Sequence, residues 1–149
     1  MRLVVDTGVF SAALSRRRRQ AFDVHVAALR GHQLFLSVAT VAELRYGALV
    51  AEWESSRLER LEAAIESTTV VPVSNELITV VAETRAACRR IAHPLADQAH
   101  TSDLWIAATA LCIDAALVTA DNLFNEVPGL VLYPDRALPP PPGRVGVGR

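Results

Sequence analysis

The sequence predicts an α/β protein, with a central, mainly parallel sheet of four to five strands and helices on both faces. Short continuous apolar runs recur along it, which is how strands buried on both faces read. Between them lie longer segments whose apolar residues repeat at three and four, the spacing of one helix face. The two kinds of segment alternate, and such alternation builds parallel sheets covered by helices.

The elements follow in order. Leu3-Val4-Val5 is the first strand and runs into Asp6, after which the small-residue stretch 7–14 reads as a helix. Asp6 therefore stands where strand gives way to helix, at the carboxyl edge where open α/β sheets bind ligands. Arg16-Arg17-Arg18-Arg19 is expected as a charged loop. Residues 20–30 set Phe22, Val26 and Leu29 at helical spacing, closed by Gly31. Leu34-Phe35-Leu36 is the second strand, and Ser37 can cap a helix over 38–50 that carries Glu43. A helix over 54–66 has Leu58, Leu61 and Ile65 on one face, with Arg57, Glu59, Arg60 and Glu62 elsewhere. Val70-Val71-Pro72-Val73 reads as a third strand, and its Pro suggests an edge position. Ser74 caps a helix in which Leu77, Val81, Thr84, Cys88 and Ile91 recur at helical spacing. Arg89 and Arg90 suit the dipole of its last turn, and His93-Pro94 stops it. Ser102 is expected to cap a helix over 103–115. Leu117-Val118-Thr119 is the fourth strand, ending two residues before Asp121, and Leu130-Val131-Leu132 the fifth. Residues 1–133 are expected to form one domain. Residues 134–149, with four successive prolines and then glycines, read as an extended, flexible tail without a core.

Composition narrows the functional classes. Half of the 149 residues are hydrophobic and about a fifth charged, which excludes a disordered chain and allows one real core. The net charge of −1 gives no bulk attraction to nucleic acid. All fifteen basic residues are Arg, which excludes any mechanism that needs a catalytic lysine. Cys88 and Cys112 lack the spacing of a zinc or redox motif and read as reduced, small apolar residues. The opening apolar run is cut by Asp6, unlike the core of a secretory signal. The greasy stretch 104–120 carries Asp114 and is shorter than the ~20 residues that span a bilayer. No membrane association and a cytoplasmic location are the expectation.

Four acids stand at comparable strand–helix boundaries: Asp6, Glu43, Asp103 and Asp121. Singly, each has a plainer reading. Asp6 could be a helix cap, Asp103 a favourable first-turn acid, and Asp121 a turn residue. Glu43 sits in Val41-Ala42-Glu43-Leu44, and if that face were buried it would need a positive partner. Asp103 rides the seam that continues through Ile106, Ala107 and Ala110. Jointly the plain readings fail. A parallel sheet brings all these boundaries to one rim, and like charges 4 Å apart repel by about 4 kcal/mol at an effective dielectric near 20. No lysine is present to neutralise them, and Arg45, two residues from Glu43, falls on a different helix face. A divalent cation is the economical solution. All-oxygen donors favour Mg²⁺ or Mn²⁺, which activate water and steady phosphodiester oxygens.

Leu3-Val4-Val5-Asp6-Thr7, Thr40-Val41-Ala42-Glu43-Leu44-Arg45-Tyr46-Gly47, the segment from Asp103-Leu104-Trp105-Ile106 to Ala110, and Leu117-Val118-Thr119-Ala120-Asp121 resemble the four acidic blocks of PIN-domain ribonucleases. They are most similar to those of the toxin half of bacterial VapBC toxin–antitoxin pairs, in the same order and over residues 1 to about 133. The resemblance implies a PIN-like three-layer α/β/α fold and Mg²⁺- or Mn²⁺-dependent endonucleolytic cleavage of RNA. It also implies homodimerisation and inhibition by a co-expressed antitoxin. Asp6, Asp103 and Asp121 would ligate metal, and Glu43 would do so directly or through water. The chain departs from the pattern in its long polar segment 93–101. It departs also in Leu104, where relatives often carry Arg, which puts one substrate-orienting contact in question.

Other residues carry weaker expectations. Arg16, Arg17, Arg18 and Arg19 could contact RNA phosphates, meet an acidic patch on the antitoxin, or simply be solvated. His100 and Asp97 could serve as a general acid or further ligand, but polar loop residues are usually only solvated. His25 and His32 have no acidic neighbours in sequence and are assigned nothing. Trp105 and Tyr46 are expected in the core rather than as base-stacking platforms. A haloacid-dehalogenase-like phosphatase needs a second Asp where Gly8 stands, and a receiver domain needs paired acids and a lysine. The remaining alternative is a catalytically silent PIN-like protein- or RNA-binding module.

Overall fold

The computed structural model describes residues 1–135. The expected tail, 134–149, lies outside them except for its first two residues. Four strands pair in parallel in the order β3-β2-β1-β4. These are β1 (Arg2–Val5), β2 (Gln33–Leu36), β3 (Thr69–Val70) and β4 (Ala116–Val118). The chain builds outwards from β1 through β2 to β3, then returns to lay β4 on the other side of β1. The strand order thus reverses between β1 and β4, and at such a switch point the connections leave a crevice beyond the carboxyl ends.

The period of two in β1 explains the layers. Leu3 and Val5 face one cluster, with Val9 and Phe10 of α1 (Thr7–Leu14), Val41 and Leu44 of α4 (Val38–Val50), and Leu61 and Ile65 of α5 (Ser55–Glu66). Val4 faces the other, with Cys88 of α6 (Asn75–Arg90) and Leu104, Ile106, Ala107 and Ala110 of α7 (Thr101–Cys112). Leu3, Val4 and Val5 are fully buried, each contributing about 1.5–3 kcal/mol relative to exposure. Leu104 is buried in that second core, so the position is structural here. Cys88 and Cys112 are free thiols, the first buried among apolar neighbours. Among the described residues, no helix is long and apolar enough to cross a membrane.

Most expected elements form, with corrections at their ends. Arg16–Arg19 is a short helix, α2, continuous with a 3₁₀ turn at Gln20–Phe22, because each Arg can extend into solvent from a helical turn as easily as from a loop. The expected helix over 20–30 therefore shrinks to α3 (Asp23–Ala28), and Gly31 follows at φ +76°. The third strand is reduced to Thr69–Val70, at the sheet edge as its proline required. The fifth strand is reduced to one parallel bridge between Leu117 and Leu132, although Leu117 N donates to Val131 O and Tyr133 N to Leu117 O. Ser37 and Ser74 cap as expected, their hydroxyl oxygens accepting from Ala39 N and Leu77 N. Ser102 does not. α7 begins at Thr101 with His100 at the cap position, since the segment before it is wound into 3₁₀ turns at Pro94–Ala96 and Gln98–His100. Tyr46 is 68 % exposed on α4 rather than in the core.

Candidate active site

Asp6 ends β1 in extended conformation and caps α1, where Oδ1 accepts from Thr7 N at 2.8 Å. Its Oδ2 accepts from the Thr119 hydroxyl at 2.6 Å, and its own N–H donates to Val118 O across the β1–β4 crevice. Thr119 is 2 % exposed, and its oxygen also accepts from Asp121 N at 3.0 Å. One buried hydroxyl thus ties the ends of β1 and β4 together. Asp121 then caps the 3₁₀ turn Asn122–Phe124, accepting from Leu123 N at 2.9 Å. That turn is held from the far side by His93, whose Nδ1 accepts from Leu95 N at 3.0 Å. The other ring nitrogen, Nε2, therefore carries the proton and donates to Asn125 O at 2.8 Å.

Glu43 is reached through threonines as well. The Thr7 hydroxyl lies 3.1 Å from Thr40 Oγ1 and 3.3 Å from Glu43 Oε1. An ionised Glu can only accept, so Thr7 donates to Glu43 and takes the Thr40 proton in turn. Glu43 is an exposed residue and needs no buried cation. Arg45 points elsewhere as expected, its Nε and Nη2 donating to the two Glu62 oxygens at 2.9 and 3.0 Å. Asp103 stands in the first turn of α7, half-buried, with His100 Nδ1 3.7 Å from Oδ2. That separation is an ion-pair contact when His100 is protonated, and too long for a hydrogen bond. Asp97 is turned to its own loop, accepting from Ala99 N.

The four acids feel one another across the crevice. Burial raises the Asp6 carboxyl above the ordinary range. Thr119 and Thr7 N–H pull it back, while Asp103 and Asp121 push it up again. Glu43 is raised by partial desolvation at its carboxyl end and then by Asp103 and Asp6. Asp103 is raised by burial and then by Asp121, with His100 opposing. Each of Asp6, Glu43 and Asp103 is thus raised in part by another of the four acids, Asp121 included among those acting on them. Among the described residues, however, no three His, Cys, Asp or Glu gather closely enough to hold a metal ion by themselves.

A groove of about 640 Å³ is lined by Thr7 and Glu43 together with Trp53, Arg18, Arg57 and Arg60. Of the Arg16–Arg19 run only Arg18 enters it, while Arg19 folds back to donate to Ala13 O. Sequence reasoning missed Thr7, Thr40 and Thr119 as linkers and Trp53, Arg57 and Arg60 as groove walls. The threonines had a signal, since each interrupts an otherwise apolar boundary beside an acid. The groove residues had none, because which side of α5 faces α1 is a tertiary fact.

Comparison with known proteins agrees with this architecture. The family model described as PIN domain matches residues 3–130. Ribonuclease VapC4 of Mycobacterium tuberculosis is 32 % identical over 133 residues, covering 85 % of this chain and 92 % of that protein. Ribonuclease VapC5 of the same organism is 31 % identical over 129 residues, covering 85 % and 87 %. Among solved structures, FitAcB from Neisseria gonorrhoeae superposes with a TM-score of 0.69 at 26 % identity, covering 87 % of this chain and 96 % of that one. VapBC2 from Rickettsia felis, bound to a DNA fragment from its promoter, gives 0.70 at 20 %, covering 89 % and 97 %, a likeness of fold. With the family model spanning nearly all the described residues and two relatives at 32 % and 31 % identity, this chain belongs to the PIN-domain family and is of the VapC type.

Proposed function

We propose that this protein is a Mg²⁺- or Mn²⁺-dependent endoribonuclease, the toxin of a toxin–antitoxin pair, acting in the cytoplasm at Asp6, Glu43, Asp103 and Asp121. The observation that carries the reading is that the carboxyls of Asp6, Glu43 and Asp103 are raised, first by burial and then by neighbouring acids, while among the described residues no Arg pairs with these three. The donor set fits a hard cation. Among the described residues no three acids converge closely, which still leaves room for Mg²⁺, an ion that keeps several waters and takes only one or two carboxylates directly. Asp6, Asp103 and Asp121 would hold the ion, with Glu43 direct or through water. When bound, the ion supplies Lewis acidity that activates water and steadies the oxygens of an in-line displacement at phosphorus.

The chain's own residues supply position. Two hydrogen bonds fix both Asp6 oxygens, so this carboxylate is presented in one orientation. Thr119 fixes the Asp121 turn relative to Asp6, and Thr7 aims Glu43. His100 Nδ1 stands 3.7 Å from the Asp103 carboxylate. VapBC assemblies among the solved relatives support an antitoxin partner. A homodimer is supported by Tyr46, Leu49 and Val50, apolar residues at i, i+3 and i+4 exposed on one face of α4.

Incubation of a structured RNA with Mg²⁺, with Mn²⁺ and with EDTA tests the reading. Internal cleavage that EDTA abolishes is expected. Binding without cleavage in any metal would identify a silent module instead.

A further inference from the structure

We propose that the groove beside the acidic rim is the track for single-stranded RNA flanking the cleaved bond. In it Arg57, braced on Trp53, is a stacking platform, and Arg18 and Arg60 are phosphate contacts. The proposal rests on the nuclease reading and adds which residues hold the substrate. Thr7 and Glu43 are part of the groove lining, so a strand with one phosphate at the acids has its neighbours within reach of the groove. Arg18, Arg57 and Arg60 line it and are exposed, and among the described residues no acid pairs with any of them. The nearby Arg45 is already engaged by Glu62. Three guanidinium groups on one groove repel each other, and a polyanion relieves that repulsion. A protein of net charge −1 whose reaction rim is acidic needs such a local positive wall if RNA is to approach it.

The platform argues for a nucleobase rather than an acidic peptide. The Arg57 guanidinium carbon lies 3.7 Å from the centroid of the Trp53 ring, so one face of its plane rests on the indole. The opposite face is left for a planar partner, and unstacked RNA bases are held on guanidinium planes in this way. Trp53 itself packs against the core between β1 and α5, which keeps the platform from collapsing. An acidic peptide would satisfy the three charges and leave that plane unused.

Fluorescence anisotropy of a short fluorescein-labelled single-stranded RNA with the full chain in EDTA separates binding from cleavage. Arg57→Ala and Arg60→Ala should each weaken binding about tenfold, the alanine-scan scale of one stacked base or phosphate contact. Arg18→Ala and Arg60→Ala should each flatten the salt dependence by about 0.7 in log–log slope. Arg57→Lys should keep the slope and lose nearly as much affinity as Arg57→Ala, because an ammonium has no plane to stack. Unchanged RNA affinity in all three alanine variants, with wild type still binding and cutting, overturns the track and leaves the nuclease reading standing. The same overturning follows if those variants keep RNA and lose a polyglutamate peptide, since the groove then takes an acidic protein segment. If wild type neither binds nor cuts RNA in Mg²⁺, both readings fall together.

Discussion

Replacing Asp6 by Asn should stabilise the metal-free protein while removing its activity. The side chain is nearly isosteric, and Asn Oδ1 can still accept from Thr7 N, so the α1 cap survives. What is lost is the charge-assisted bond from the Thr119 hydroxyl, a difference of about 1–2 kcal/mol against a neutral one. What is gained is larger. Asp6 is only 8 % exposed and is pushed upward first by that burial and then by Asp103 and Asp121. Removing the charge relieves the desolvation and both repulsions, each repulsion on the order of 1–2 kcal/mol at an effective dielectric near 20. The net expectation is about 1–3 kcal/mol of stabilisation, or roughly 2–10 °C in Tm for a chain of this length. Asp6→Ala should instead melt below Asp6→Asn by about 1 kcal/mol, because it loses the cap. Thermal melts in EDTA at neutral pH measure the first effect. RNA cleavage in Mn²⁺ measures the second, expected to fall by more than about a hundredfold, beyond what loss of a group merely supporting a metal site costs. An Asn variant that melts several degrees below wild type would show that the rim is not under repulsion. One that cuts at the wild-type rate would remove Asp6 from the reaction.

Three further outcomes follow from the same geometry. Thr119→Val leaves Asp6 Oδ2 and Asp121 N without their shared partner in a buried position, costing about 1–3 kcal/mol in urea unfolding, whereas Thr119→Ser should retain most of it; equal stability of the Val variant would refute the link. Asp6, Glu43 and Asp103 have raised folded-state values, so the native state holds protons that the unfolded chain has released. Metal-free stability should therefore fall as pH rises from the ordinary carboxylate range through those raised values. The Tm gain from millimolar Mg²⁺ should accordingly be larger at about pH 8 than at about pH 5, and a gain that shrinks with pH would contradict the site. Finally, Leu49→Asp, at a position 73 % exposed, should leave the fold intact and convert a sedimenting dimer to monomer. A wild-type protein that sediments as a monomer would rule out this dimer face.

The sequence by itself determined the local chemistry. Apolar runs identified β1, β2 and β4, Ser37 and Ser74 announced their helices, and Pro72 confined the third strand to an edge. Parallel order followed from alternation, and Asp6 could be placed directly after β1 because that placement depends only on neighbours in the chain. It overextended the third and fifth strands, since Val131 and Leu132 look apolar whether or not a neighbouring strand pairs with them. It also put Tyr46 inside, because a helix with small and apolar residues all round does not reveal which side is covered. Only the tertiary structure decided that β4 lies beside β1, where Thr119 reaches Asp6 across 113 residues of chain. It alone set Trp53 and Arg57 into a groove beside Glu43. Such contacts depend on how whole layers pack, and no local preference of the residues involved encodes them.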